Sequence, residues 1–178
     1  LKLERADAAT AFLQGRPIMR DLFCVPVPEL AHALGIPPGE AARLLKSSYG
    51  LVDAPWEWYC TVVTTLKELG WMQCESDPCA FILVDLDATD QLLDVSGSLL
   101  KDADGNPDYR HVVALAVWHV DDFEWGGRSR DPRWLRAKQD IMEKLRWKEW
   151  ESKDYINLGT RTVQFDDGSI ELDQKKFT

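Results

Sequence analysis

The run Val112-Val113-Ala114-Leu115-Ala116-Val117-Trp118 is the most apolar in the chain, and it leads straight into His119-Val120-Asp121-Asp122. A near-continuous Val/Ala/Leu segment of this length reads as a strand buried on both faces, and it is far too short to span a bilayer. Phe123-Glu124-Trp125 can then return as a second strand before Gly126-Gly127. Any fold of this chain must therefore accommodate a buried strand that ends on two adjacent carboxylates.

The rest of the chain supplies the partners. Leu1 and Leu3 alternate with Lys2 and Glu4, which predicts a half-buried strand running up to Asp7. Residues 22–27 are a short apolar stretch, followed by Pro28, Gly35, Pro37, Pro38 and Gly39 as turn punctuation. Residues 41–46 fit either a helix end or a strand. The clearest helix starts near Asp53, whose side chain can accept from first-turn amides, with Pro55 tolerated early. Tyr59, Val62, Val63, Leu66 and Leu69 recur on one face of it, and Gly70 supplies a stop.

Residues 79–84 form another strand candidate, and the polar, turn-rich residues 85–110 read as a long surface excursion between core strands. A second helix begins at Asp131-Pro132, with Leu135, Ile141, Met142 and Leu145 on its inner side. Asp166-Asp167-Gly168-Ser169 separates two strand-like runs and marks a hairpin tip. This mixed order predicts an α+β fold on an antiparallel sheet, in one domain over residues 1–178.

Charge and cysteines narrow the function classes. The chain has 21 Lys and Arg against 30 Asp and Glu, a formal charge of −9. That argues against a surface gripping polyphosphate by itself, because nonspecific nucleic-acid affinity comes mainly from cationic contacts. Cys24, Cys60, Cys74 and Cys79 include no C-x-x-C pair and no histidine at metal spacing, so free thiols are expected instead of a zinc site or disulfides. Residues 1–5 mix charges with leucines and no apolar core follows, unlike a signal peptide. The chain reads as intracellular, without a membrane segment, and as if cut from something longer.

Asp121-Asp122 and Asp166-Asp167 differ in context. The first pair ends an apolar strand, where two carboxylates repel unless a cation sits between them; the second lies among polar neighbours and reads as solvated. Two-metal phosphoryl transfer needs carboxylates from at least two chain segments. Asp7, at the end of the opening strand, is the candidate third ligand, although an Asp at such a place also serves as a cap or turn residue.

Longer matches make this specific. Asp7-Ala8-Ala9-Thr10-Ala11-Phe12-Leu13-Gln14-Gly15 resembles the D-x-x-T-A-F-L-x-G segment of copia-type LTR-retrotransposon reverse transcriptases. Ser47-Ser48-Tyr49-Gly50-Leu51 with Ala54-Pro55 and Trp58-Tyr59 resembles their S-L-Y-G-L-K-Q-A-P-R-x-W-Y block. Glu75-Ser76-Asp77-Pro78-Cys79 is similar to the segment after their next helix, Val120-Asp121-Asp122 to the end of their Y-V-D-D turn, and Leu158-Gly159 to a later L-G. The matches keep their order over nearly the whole chain.

The resemblance implies a palm-like antiparallel sheet backed by helices, with part of the fingers subdomain. It implies an RNA-directed DNA polymerase in which a primer 3′-oxygen attacks the α-phosphorus of a dNTP and pyrophosphate leaves. Asp7 and Asp121 are the implied principal ligands of two Mg²⁺ ions, for which Mn²⁺ can substitute, and Asp122 assists. RNA or DNA template with primer, dNTP and other segments of a parent polyprotein are the implied partners, in a cytoplasmic virus-like particle or the nucleus. Phe12 corresponds to the bulky residue under the incoming sugar, or else is a plain core aromatic. Tyr49 and Gly50 correspond to a nucleotide- and template-binding pair, or else serve strand-to-turn packing.

The departures are specific too. His119 replaces an aromatic, Ser48 a leucine, Val52-Asp53 a basic-polar pair and Trp56 an arginine, while Glu124 brings a charge where an apolar residue is usual. No ligand is lost, but basic residues are. The rival expectation is a decayed or domesticated palm-like domain acting as an interaction module. Flanking fingers and thumb segments in the family lie outside the matched residues, so these residues alone are expected to polymerise poorly.

Overall fold

The computed structural model describes residues 1–85, 103–105 and 111–174. Almost all of the predicted excursion at 85–110 lies outside the described residues. The chain divides into two compact units, Leu1–Ala9 with Val63–Thr178, and Thr10–Val62.

The larger unit is built on six antiparallel strands: β1 (Lys2–Ala8), β4 (Met72–Gln73), β5 (Ala80–Val84), β6 (Val112–His119), β7 (Asp122–Gly127) and β8 (Trp147–Ser152). Their order is β4-β5-β6-β7-β1-β8, so the opening strand lies inside the sheet. Helix α4 (Pro132–Lys144) and a three-stranded sheet of β9 (Asp154–Asn157), β10 (Thr160–Gln164) and β11 (Ile170–Asp173) complete the unit. The class is mixed α+β with antiparallel sheets, as the sequence leads one to expect.

One sheet face carries an aromatic core. Phe81, Trp118, Phe123 and Trp125 follow one another with ring centroids 5.5, 5.7 and 5.5 Å apart. Trp71, Trp134, Trp147 and Trp150 close around Trp125 at 5.7–6.4 Å. Six of the eight tryptophans thus meet in one cluster, which buries far more apolar area per residue than aliphatic packing would.

This core overturns the expected double burial of β6. From Ala114 onward its residues alternate, with Ala116 and Trp118 buried but Leu115, Val117 and His119 exposed. The phase of β1 is likewise opposite to its Leu/Lys alternation: Leu1 is exposed, whereas Glu4, Ala6 and Ala8 are buried. Small alanines fit beside the indoles, and the inward Glu4 accepts from Trp150 Nε1 at 2.5 Å and forms an ion pair with Lys138 of α4. The inner face of α4 is Trp134, Ala137 and Ile141, while the expected Leu135 and Met142 are exposed. Asp131 caps it by accepting from the Arg133 N–H at 3.0 Å.

Helix α3 (Ala54–Glu68) begins in the smaller unit. Its buried line is Ala54, Trp58, Val62 and Leu66, at four-residue spacing, so Trp58 and not Tyr59 faces inward. Asp53 does not cap it with its side chain: Oδ2 accepts from Arg20 Nε at 3.0 Å, and Oδ1 is buried with no partner among the described residues. The stop at Gly70 holds, with φ at +82°, Gly70 N–H bonded to Lys67 O and Trp71 N–H bonded to Leu66 O.

The smaller unit also contains α1 (Ala11–Gln14), α2 (Pro28–Leu34) and a two-stranded sheet of β2 (Phe23–Cys24) and β3 (Ala42–Arg43). Within residues 41–46 the strand covers Ala42–Arg43, and Lys46 adds an isolated bridge to Pro17. Helix α2 fills what the sequence suggests is only turn punctuation, with Pro28 in its first turn and Gly35 left-handed at its end.

Candidate active site

The two-residue turn Val120-Asp121 joins β6 to β7, with His119 paired to Asp122 across the hairpin. Val120 has φ at +56°, a place that glycine normally takes and that a β-branched side chain adopts only under strain. The next strand over is β1, and its register sets Asp7 opposite Asp122. The Ala8 N–H donates to the Asp121 carbonyl at 2.8 Å, tying the turn to β1. On the other side of β1 the pairing with β8 shifts between Asp7 and Ala8, a bulge of the kind that re-aims side chains beside sites.

Asp7, Asp121 and Asp122 thus gather at one end of β1 and β7. All three are partly exposed. Among the described residues, no three His, Cys, Asp or Glu side chains converge at the spacing of a metal cage. A cation of the chain itself lies there instead: Arg5 Nη2 is 2.6 Å from Asp122 Oδ1 and 3.6 Å from Asp7 Oδ2. Its Nη1 reaches Glu151 Oε2 at 3.1 Å and Glu149 Oε2 at 3.4 Å on β8. Burial pulls the guanidinium down, but hydrogen bonds to Asp122 and Glu151 and the charges of Asp122 and Asp7 more than offset it, so its pKa is raised. Lys148 adds a looser contact, 3.8 Å from Asp7.

The sequence reading missed Arg5, Glu149 and Glu151. A signal was present in Arg5, two residues before Asp7 and therefore on the same strand face. Glu149 and Glu151 needed the β1–β8 register, which local pattern does not carry.

Phe12 and Tyr49 meet within the smaller unit, their rings 4.6 Å apart and tilted by 52°. Phe12 is buried and Tyr49 exposed, and Gly50 has φ at +93°. Trp56 stacks on Tyr59 at 5.4 Å, whereas Trp58 is buried. The Asp77 carboxylate accepts from the Cys79 N–H at 2.8 Å, so the Glu75-to-Cys79 block forms the turn between β4 and β5. Leu158 and Gly159, with φ at +47° and +82°, make the two-residue turn from β9 to β10. Asp166 is fully exposed at the β10–β11 tip, and the Asp167 side chain accepts from Ser169. Cys24, Cys60, Cys74 and Cys79 are free thiols. No helix among the described residues is long and apolar enough to cross a membrane.

Over 81 residues, 46% of this chain, the sequence is 32% identical to the "Retrovirus-related Pol polyprotein from transposon TNT 1-94" of Nicotiana tabacum. The match spans 6% of that polyprotein's length. No family model matches the chain, and no solved structure does. The similarity supports a retrotransposon origin within a Pol polyprotein.

Proposed function

We propose that the chain is the palm-centred part, with some of the fingers, of a copia-type reverse transcriptase. In this reading Asp7 and Asp121, assisted by Asp122, hold the two Mg²⁺ ions of nucleotidyl transfer. The observation that carries it is the pairing of Asp7 with Asp122 beside a strained hairpin turn, because it brings carboxylates from two distant segments to neighbouring strands. The donor set fits the metal in kind: carboxylate oxygens, partly exposed, are what a hard divalent cation takes alongside water and phosphate. Bound there, the ions supply activation of the attacking 3′-oxygen and charge neutralisation at the leaving pyrophosphate.

The chain's own residues do the positioning. The Ala8–Asp121 hydrogen bond keeps the turn against β1, and the bulge after Asp7 orients its carboxylate. In the same reading Phe12, braced by Tyr49, rejects a 2′-hydroxyl by collision, and Gly50 leaves room for the nucleotide and template. Template with primer, dNTP and the rest of the polyprotein are the partners, and the cytoplasmic particle or nucleus is the place of action.

The test is primer extension by the longer polyprotein that contains these residues. Extension should depend on Mg²⁺ or Mn²⁺ and disappear with Asp121→Asn, while Asp166→Asn leaves it unchanged. Undiminished extension by Asp121→Asn would end the assignment. A second reading, a decayed or domesticated palm acting as an interaction module, is favoured by one observation: Arg5 already pairs with Asp122 and Asp7. Absence of metal-dependent extension, with a folded protein, is its expected result.

A further inference from the structure

We infer that Arg5 is a built-in competitor for the carboxylate site, a cation that metal must displace and whose guanidinium then withdraws onto Glu149 and Glu151 of β8. This rests on the metal-binding reading above and adds how the site is regulated.

The geometry divides the guanidinium between two pairs of acids. Nη2 faces Asp122 and Asp7 at 2.6 and 3.6 Å, while Nη1 faces Glu151 and Glu149 at 3.1 and 3.4 Å. Arg5 lies opposite Glu151, and Asp7 opposite Glu149, so all five side chains share one sheet face. Nε is buried and has no acceptor among the described residues, so the group is held only by its two terminal nitrogens.

The two pairs are not equivalent. Side chains of Asp7 and Asp122 are 20% and 23% exposed, against 51% and 43% for Glu149 and Glu151. Charges held away from water attract more strongly than exposed ones, so Arg5 favours the aspartates when no other cation competes. A divalent ion carries twice the charge and can take several oxygens at once, so it wins those carboxylates at sufficient concentration. Arg5, only 13% exposed, is not left as an uncompensated charge, because Nη1 keeps its glutamate contacts throughout. Four carboxylates surround Arg5 and the looser Lys148 in this cluster, so its formal charge stays negative and still draws cations.

Mn²⁺ binding to the 178-residue chain, followed by the loss of its free electron paramagnetic resonance signal, tests this directly. Arg5→Gln should bind Mn²⁺ about tenfold more tightly, the size expected for removing one adjacent positive charge from a water-screened divalent site. The gain should vanish when Asp122→Asn is added. Glu151→Gln with Glu149→Gln should weaken binding, whereas Asp166→Asn, which removes an exposed carboxylate elsewhere, should not. Should Arg5→Gln fail to fold, Arg5→Met carries the comparison, since it also removes the charge while keeping an unbranched stem, and a gain in affinity is again expected. Equal affinities in the wild type and the Arg5 variants, with binding lost in Asp7→Asn, would overturn the competitor role and leave the metal site standing. No Mn²⁺ binding by any folded variant would overturn the metal reading and this inference with it.

Discussion

Glu124 stands where a charge looks out of place in the sequence, and its surroundings explain it. It accepts from the Tyr155 hydroxyl at 2.7 Å and from Asn157 Nδ2 at 3.3 Å. Burial, then the neighbouring Glu124 carboxylate, pushes the Tyr155 phenol well above its ordinary value of 10.0. A raised folded-state pKa means that the neutral phenol is favoured by folding. The stabilisation is thus complete below pH 10 and declines as pH rises from there toward the folded value. Urea midpoints measured from pH 8 upward should fall above about pH 10 in the wild type. Tyr155→Phe should start about 1 kcal/mol lower, having lost the donor to Glu124, and should lack this alkaline component. Identical alkaline declines would mean that the phenol is not held neutral by the fold. At this scale Asp121 and Asp122 were marked by the apolar run before them, and Asp7 by the alternating strand that it ends. Arg5 was not, since its role depends on four acids contributed by three strands.

Among the elements, those with local signals were read well. The Gly70 stop, the Asp131 cap and the β10–β11 tip each rest on residues within a few positions of one another, and all three are present. Which face of an element turns inward was read less well, as β1, α3 and α4 illustrate. The faces of β1 and α4 are chosen by fit to the indole cluster, where alanine and an ion-paired glutamate succeed and leucine is left outside. Gly127 of β7 marks how close that fit is: a Cβ there would lie 2.3 Å from Trp134 Nε1 and Cε2. A rigid indole cannot move aside without disturbing Trp71 and Trp125. Gly127→Ala should therefore destabilise the protein by about 2–3 kcal/mol, in the upper range for overpacking. Chemical denaturation checks the magnitude, and near-ultraviolet circular dichroism should change with it. A variant as stable as the wild type would mean that α4 can shift away from the sheet freely.

On the scale of the whole molecule, the α+β class and the hairpin followed from the order of strand and helix signals, but the sheet order did not. Nothing in residues 2–8 announces that this strand lies between two segments more than a hundred positions away. Its contacts include Arg5 with Asp122 and with Glu151, separated by 117 and 146 positions. Folding inherits that separation. Closing so long a loop must come before any of β1's pairing energy is gained, which places the chain among slow folders, in milliseconds to seconds. Tryptophan fluorescence in a stopped-flow refolding experiment should follow such a phase, because Trp125 and Trp150 stack only once β7, β1 and β8 are assembled. Complete recovery within microseconds would mean that closure of β1 is not limiting. Until β1 arrives, β7 and β8 each present an open backbone edge to the surroundings, and a chain waiting in that state is most exposed to pairing with its neighbours.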